Sequence, residues 1–333
     1  MKRAPRCRFS IKEEKQMIKL YSNGLCLRKV GNKFNASPTR VSRILEANGF
    51  KRRNHADGTR LLHGHIQVAP SDNFPYHLKN NYSDLISIFL LTDGYMKKGG
   101  GIMLICTDEM LQRYFLTLIK EAYGLSPTVN SFMKKGKETI VHSKFVYDKL
   151  LLNSPSYNTY PRNCNQEEYF KRSQPSLSFL NSAGKDVMKE AVRIAMSTDG
   201  TVNVDFPHDS IYPKLEFSCA HPNLLQQWKE IFKEIGINSF IIKSKLTWSK
   251  VRGLGIKELR SVQRFFDIGA FIDGVKITGK SKYYQGVTKN NLLHLILKLH
   301  DESFHFPRDI TTYEKHQILR EKLNLSLIQP PTN

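Results

Sequence analysis

The chain has 333 residues, 40% of them hydrophobic. That is room for two or three domains with a sizeable core, and it excludes a globally disordered protein. Its 51 Lys and Arg against 30 Asp and Glu leave a net charge of +21, and residues 1–60 alone hold 16 basic and 4 acidic residues. An excess of this kind favours a phosphate-bearing partner, with DNA the expected polyanion, because binding releases condensed counterions. No apolar run reaches the roughly 20 residues of a membrane span, and no h-region follows Met1-Lys2-Arg3. Neither a membrane partner nor a signal peptide is therefore expected. Five dispersed cysteines without a Cys-x-x-Cys pair argue against a zinc ribbon or a disulfide framework, and they fit a reducing, intracellular compartment, cytoplasm or an organelle DNA compartment.

In chain order, residues 8–53 read as three short helices. Ser10 and Glu13 form a capping box for the first, whose apolar face carries Met17, Ile18, Leu20 and Tyr21 before Gly24. The second runs from about Leu27 to Phe34. After the turn Asn35-Ala36-Ser37, Pro38 opens the third, which holds Val41, Ile44 and Leu45 inward and stops at Asn48-Gly49. A polar linker at 54–82 leads to a larger unit at 83–152. A second connector at 153–182, with Pro155, Pro161 and Pro175, leads to a second unit at 183–303. The tail is 304–333.

The two larger units repeat one order of elements. Each opens with an apolar run ending in Thr-Asp-Gly: Leu85 to Leu91 before Thr92-Asp93-Gly94, and Ala191 to Met196 before Thr198-Asp199-Gly200. Strands are predicted at Ile102 to Cys106 and Leu215 to Cys219. Helices follow around Leu111 to Glu121 and Leu225 to Glu234, closed by Gly124 and Gly236. Further strands are predicted at Pro127 to Phe132, Thr139 to Phe145, Asn238 to Ile242 and around Trp248 to Leu254. The period of about a hundred residues indicates a duplicated domain.

A helix apolar nearly all round must be buried on more than one side. Packed against each other, the two Thr-Asp-Gly helices would bring Asp93 and Asp199 together at their open ends. A carboxylate at a helix C-terminus opposes the dipole, so a pair of them invites a cation. Mg²⁺ accepts one or two carboxylates, with carbonyls, waters or phosphate oxygens completing its shell. A single Asp-Gly is more often a turn; two, each after an apolar helix, point to a site.

These runs resemble the paired motifs of single-chain LAGLIDADG homing endonucleases, over roughly residues 83 to 300. The resemblance implies an α+β fold of two pseudo-symmetric αββαββα units, here joined to a small all-α domain, and a site-specific double-strand DNA endonuclease acting as a monomer with Mg²⁺ or Mn²⁺. It implies Asp93 and Asp199 as the catalytic, metal-holding acids, with the carbonyls of Thr92 and Thr198 as further ligands and the sheets in the major groove. Phe271-Ile272-Asp273-Gly274 followed by Lys280 to Asn291 is similar to the family's C-terminal signature. Ile88 and Ile194 stand where the family has Gly, Arg193 lies within the second motif helix, and the family's lysine has no assigned position, Lys144, Lys245 and Lys250 being the candidates. A non-catalytic DNA-binding regulator on this scaffold, and an intron-splicing maturase, are the alternatives.

Residues 8–53 resemble a helix-turn-helix of homeodomain or invertase type. This implies Thr39, Arg40 and Arg43 facing the major groove, and Lys51, Arg52 and Arg53 on phosphates. Lys2, Arg3, Arg6 and Arg8 form a basic arm. Lys97 and Lys98 flank the predicted hairpin turn Gly99-Gly100-Gly101 and would touch backbone phosphate. Ile268 to Gly274 also scans like a motif, but Asp273 as the second acid would leave the second unit without its opening helix, and it is read as a turn.

Overall fold

A computed structural model describes residues 9–22, 25–50, 74–97, 99–132, 136–162, 164–278 and 281–325, and the chain divides into two compact units at residues 67 and 68. Lys51, Arg52, Arg53, Lys98, Lys280 and the basic arm before Phe9 lie outside the described residues.

The first unit packs α1 (Ile11–Ser22), α2 (Leu27–Lys33) and α3 (Pro38–Ala47) around Met17, Tyr21, Val30, Val41, Ile44 and Leu45. The capping box forms: Ser10 N–H donates to Glu13 at 2.7 Å, and Glu13 N–H donates to the Ser10 hydroxyl. Ser37 caps α3, with Pro38 in its first turn. Between α2 and α3 the backbone closes so tightly that a Cβ on Gly31 would stand 2.3 Å from the Ala36 carbonyl oxygen. Only glycine fits there.

The second unit contains two αββαββα repeats. The first is α4 (Tyr82–Leu91), β1 (Gly94–Lys97), β2 (Gly101–Cys106), α5 (Glu109–Tyr123), β3 (Thr128–Phe132), β4 (Gly136–His142) and α6 (Lys144–Asn153). A short helix α7 (Gln166–Phe170) lies between the repeats. The second is α8 (Lys185–Asp199), β5 (Gly200–Asp205), β6 (Tyr212–Ser218), α9 (Pro222–Glu234), β7 (Phe240–Lys243), β8 (Val251–Ile256) and α10 (Leu259–Asp267). The sheets run β1-β2-β4-β3 and β5-β6-β8-β7, antiparallel throughout. Alternation sets which face is buried: Ile102, Leu104 and Cys106 on β2, and Leu215 and Phe217 on β6, point into the core.

α4 is buried at Tyr82 and from Leu85 to Leu91, and it packs on α8, which is buried from Glu190 to Ser197. Ile88 and Ile194 are both fully buried. Ser87 turns its hydroxyl to Tyr157 at 2.8 Å and Ser197 accepts from Ile272 N–H at 2.8 Å, so the polar positions of the motif helices have partners.

Three stretches differ from the sequence reading. The end of the predicted 54–82 linker folds as a 3-10 turn, Tyr76–Asn81, with Phe74 buried against Tyr82 and Tyr114. The 153–182 connector forms α7 and buries Tyr157 and Tyr169, the latter in an aromatic cluster with Phe170, His221 and Trp248. The predicted tail contains α12 (Thr312–Lys322), because Thr311 and Glu314 form a second capping box and Leu319 enters the core. Before it runs α11 (Lys289–Asp301), capped by Thr288 and burying Leu292, Leu293, Ile296 and Leu299. Asp273 lies in the turn between α10 and α11, where Asn290 donates to it at 3.1 Å.

Candidate active site at the paired helix ends

The two Thr-Asp-Gly junctions are built alike. The Thr92 hydroxyl donates back to the carbonyls of Ile88 and Phe89 at 3.1 and 3.2 Å, and the Thr198 hydroxyl to those of Ile194 and Ala195 at 3.1 and 2.9 Å. Each threonine therefore bonds back into the last turn of its helix, with Asp93 just past the end of α4 and Asp199 the last residue of α8. Each glycine then lets the first strand fold back over that turn. A Cβ on Gly94 would stand 2.9 Å from the Leu90 Cα, and one on Gly200 would stand 2.4 Å from the Met196 carbonyl oxygen. The glycines answer a steric demand, since neither has positive φ.

Because α4 and α8 pack together, Asp93 and Asp199 end near each other, half-buried by accessible surface. Burial raises the pKa of both carboxyls above 3.8, and the charge of Asp93 raises that of Asp199 further. An ammonium opposes the rise. Lys289, the first residue of α11 and only 7% exposed, places Nζ 2.7 Å from the carbonyl oxygens of both Ser197 and Gly200 and 3.3 Å from that of Met196. Burial lowers its pKa to about 8, against the pull of Asp199 and Asp93.

The site therefore holds two carboxyl groups and one buried amine. The sequence reading missed Lys289. Of its lysine candidates, Lys144 pairs with Asp148 on the surface, and Lys245 and Lys250 lie in the β7–β8 loop. The signal that could have found it is Thr288 as an N-cap: a capped, strongly apolar helix starting with lysine must bury that lysine or solvate it. Nearby, Asp108 caps α5 through Met110 N–H and accepts Lys276 N–H at 2.9 Å, so the α10–α11 segment of the second repeat is fastened to the first.

The donor set fits a hard divalent cation: all-oxygen, two carboxylates, at the negative ends of two helices. Among the described residues there is no group of three or more His, Cys, Asp or Glu suited to a metal. Water or phosphate oxygens would have to complete the shell, as Mg²⁺ tolerates.

The other predicted residues lie apart from this pair. Lys97 is exposed beside the turn at Gly99 and Gly100. In the first unit, Thr39 and Arg43 are exposed on α3, whereas Arg40 is half-buried, its guanidinium 5.2 Å from the Phe9 ring centroid.

No protein-family model and no curated protein matches the chain. Solved structures similar to it include the LAGLIDADG meganuclease I-AabMI bound to uncleaved DNA, at 12% identity over 72% of this chain and 97% of that one, with a TM-score of 0.43. Mesophilic variants of the homing endonuclease I-DmoI match at 11% identity over 57% of this chain and 96% of theirs, with a TM-score of 0.39. Full-length WhiA from Thermatoga maritima matches at 15% identity over 75% and 91%, with a TM-score of 0.35. Among the described residues, no helix is long and apolar enough to cross a membrane.

Proposed function

We propose that the chain is a site-specific double-strand DNA endonuclease that hydrolyses phosphodiesters with Mg²⁺ or Mn²⁺ held between Asp93 and Asp199. The observation that carries this reading is the pair of carboxylates at the open ends of two packed helices in a protein of net charge +21. A bound metal would polarise the phosphate and activate a water. The chain's own residues do the rest: Thr92 and Thr198 hold the helix ends, Gly94 and Gly200 bring the strands in, and Lys289 fixes the carbonyls behind Asp199. In the first unit, Thr39 and Arg43 would read the major groove from α3, with Arg40 held by Phe9, while Lys51, Arg52 and Arg53 bear on phosphates together with Lys97 and Lys98. The protein would act as a monomer inside the cell.

Cleavage of a randomised duplex library with Mg²⁺ or with EDTA, by the parent chain and by Asp93→Asn and Asp199→Asn, tests the proposal. Metal-dependent cutting at one long site, lost in both variants, supports it. Selective binding without cutting under any divalent metal moves the chain to a second reading, a non-cutting DNA-binding regulator. One observation favours that second reading: Lys289 already buries an ammonium among the carbonyls behind Asp199.

A further inference from the structure

The outward face of the second sheet carries an aromatic ring that the core does not need. Register places Thr201, Glu216, Gly255 and Phe240 in one cross-strand row on that face. Phe240 is 42% exposed. Its ring lies down across Gly255, with Cζ, Cε1 and Cε2 at 2.4–2.9 Å from where a Cβ on that residue would be. Any side chain at position 255 would lift the ring off the sheet. Lys257 stands 5.7 Å from the ring centroid and also lines an open cleft of about 630 Å³ with Tyr212 and Asp205.

Charge along the β7–β8 hairpin is one-sided. Residues 239–257 contain Lys243, Lys245, Lys250, Arg252 and Lys257 and no Asp or Glu. On the face itself Glu216 is paired with Lys214 at 2.7 Å and Arg252 at 3.0 Å, Asp205 lines the cleft beside Lys257, and Glu258 follows the segment. A flat, sheet-supported ring with a lysine ammonium beside it suits a base with a phosphate next to it. It suits a base pair poorly, because a stacked pair offers its edges and not its face.

We infer that Phe240 on Gly255 is a stacking platform for an unpaired nucleobase, with Lys257 on a flanking phosphate and Asp205 available to a base amino group. This rests on the nucleic-acid reading above and adds a single-stranded element to it. RNA and locally melted DNA both offer such a base.

The test is fluorescence anisotropy of the full chain with labelled oligo-U, oligo-dT and a random-sequence duplex, at one salt concentration. The parent is compared with Phe240→Ala, Phe240→Leu and Phe240→Trp. Base–aromatic stacking predicts a loss on the order of 10- to 100-fold for single strands in Phe240→Ala. An equal loss is expected in Phe240→Leu, which keeps apolar cover for Gly255 but has no π face, with recovery in Phe240→Trp and duplex affinity changed by less than about twofold. Tighter binding of oligo-U identifies RNA as the source of the base, and tighter binding of oligo-dT identifies DNA. Parent-like single-strand binding by Phe240→Ala or Phe240→Leu overturns the inference, as does an equal loss on the duplex. With duplex binding intact, such a result leaves the endonuclease reading standing; no binding to any oligonucleotide removes both.

Discussion

Lys289 donates to the carbonyl of Gly200 at 2.7 Å, across 89 residues of sequence. A side chain from the last third of the protein thereby holds the junction where a motif helix becomes a strand, within electrostatic reach of both acids. Replacing it by methionine leaves the Ser197 and Gly200 carbonyls without their donor and the carboxylates without their counter-charge. Losing one partner of a buried charged network costs about 3–5 kcal/mol. Urea unfolding of Lys289→Met is expected to show a loss of that order in EDTA and a partial recovery when Mg²⁺ is added, larger than the shift Mg²⁺ causes in the parent. No difference between the two chains in either condition would mean that Lys289 does not neutralise the acids.

Without metal, the contribution of the two acids to stability should fall as pH rises. Asp93 and Asp199 have folded-state pKa values above the unfolded value of 3.8, so between these limits the folded chain binds more protons than the unfolded one. Stability is then present at the low end of the window and lost as pH climbs through the raised values. Asp199→Asn should flatten this slope and stabilise the metal-free protein at neutral pH. Thermal melts in EDTA across pH 5 to 8 would reveal it, and an unchanged slope would contradict the shared burial of the pair.

His221 creates a separate acid-sensitive point. Its Nδ1 accepts Leu224 N–H at 3.2 Å to cap α9, while Nε2 faces Gln174 Oε1 at 3.1 Å, an arrangement that requires the neutral ring. Burial lowers its pKa from 6.5 to about 4. The unfolded chain therefore binds the extra proton in this window, and stability should drop as pH falls from 6.5 towards 4. His221→Asn keeps a capping side chain without a titrating group. Its stability profile should be flatter over that range, and a parallel profile would sink the assignment.

Arg193 is part of a network that crosses the two repeats. Tyr114 on α5 donates to Glu190, which pairs with Arg193 at 2.8 Å on α8. Arg193→Met strands Glu190 in the core and should cost about 3–5 kcal/mol, whereas Glu190→Met with Arg193→Met should recover most of it. Tyr114→Phe should cost about 1–3 kcal/mol. Chemical denaturation of the single and double variants measures the coupling, and strictly additive losses would show that these residues do not act as a unit.

Arg43 is exposed on α3, so Arg43→Ala should leave folding intact while weakening DNA binding. If it contacts phosphate, the slope of log K against log salt should shrink by about 0.9. A retained slope with altered sequence preference would place Arg43 on a base edge instead.

Much of this was legible in the sequence because the decisive cues are local. The Ser10–Glu13 capping box, Pro38 after Ser37, the apolar runs before each Thr-Asp-Gly and the glycine closing α5 all act within a few residues of the element they delimit. What stayed hidden depends on distant parts of the chain. Lys289 acquires its place through carbonyls about 90 residues away, and Tyr157 and Tyr169 leave the connector for the core because Ser87 and Trp248 meet them there. Thr311-x-x-Glu314 is a local cap signal and delimits α12 within the segment read as a tail.

The ammonium behind Asp199 comes from α11, a helix that follows only the second repeat. The duplication has therefore produced specialised halves, and they should not be exchangeable modules. A protein assembled from two copies of residues 83–152 would have two acids and no resident counter-charge, whereas one assembled from two copies of 183–303 would carry its own. For anyone cutting this chain into parts, the second repeat is the one to keep.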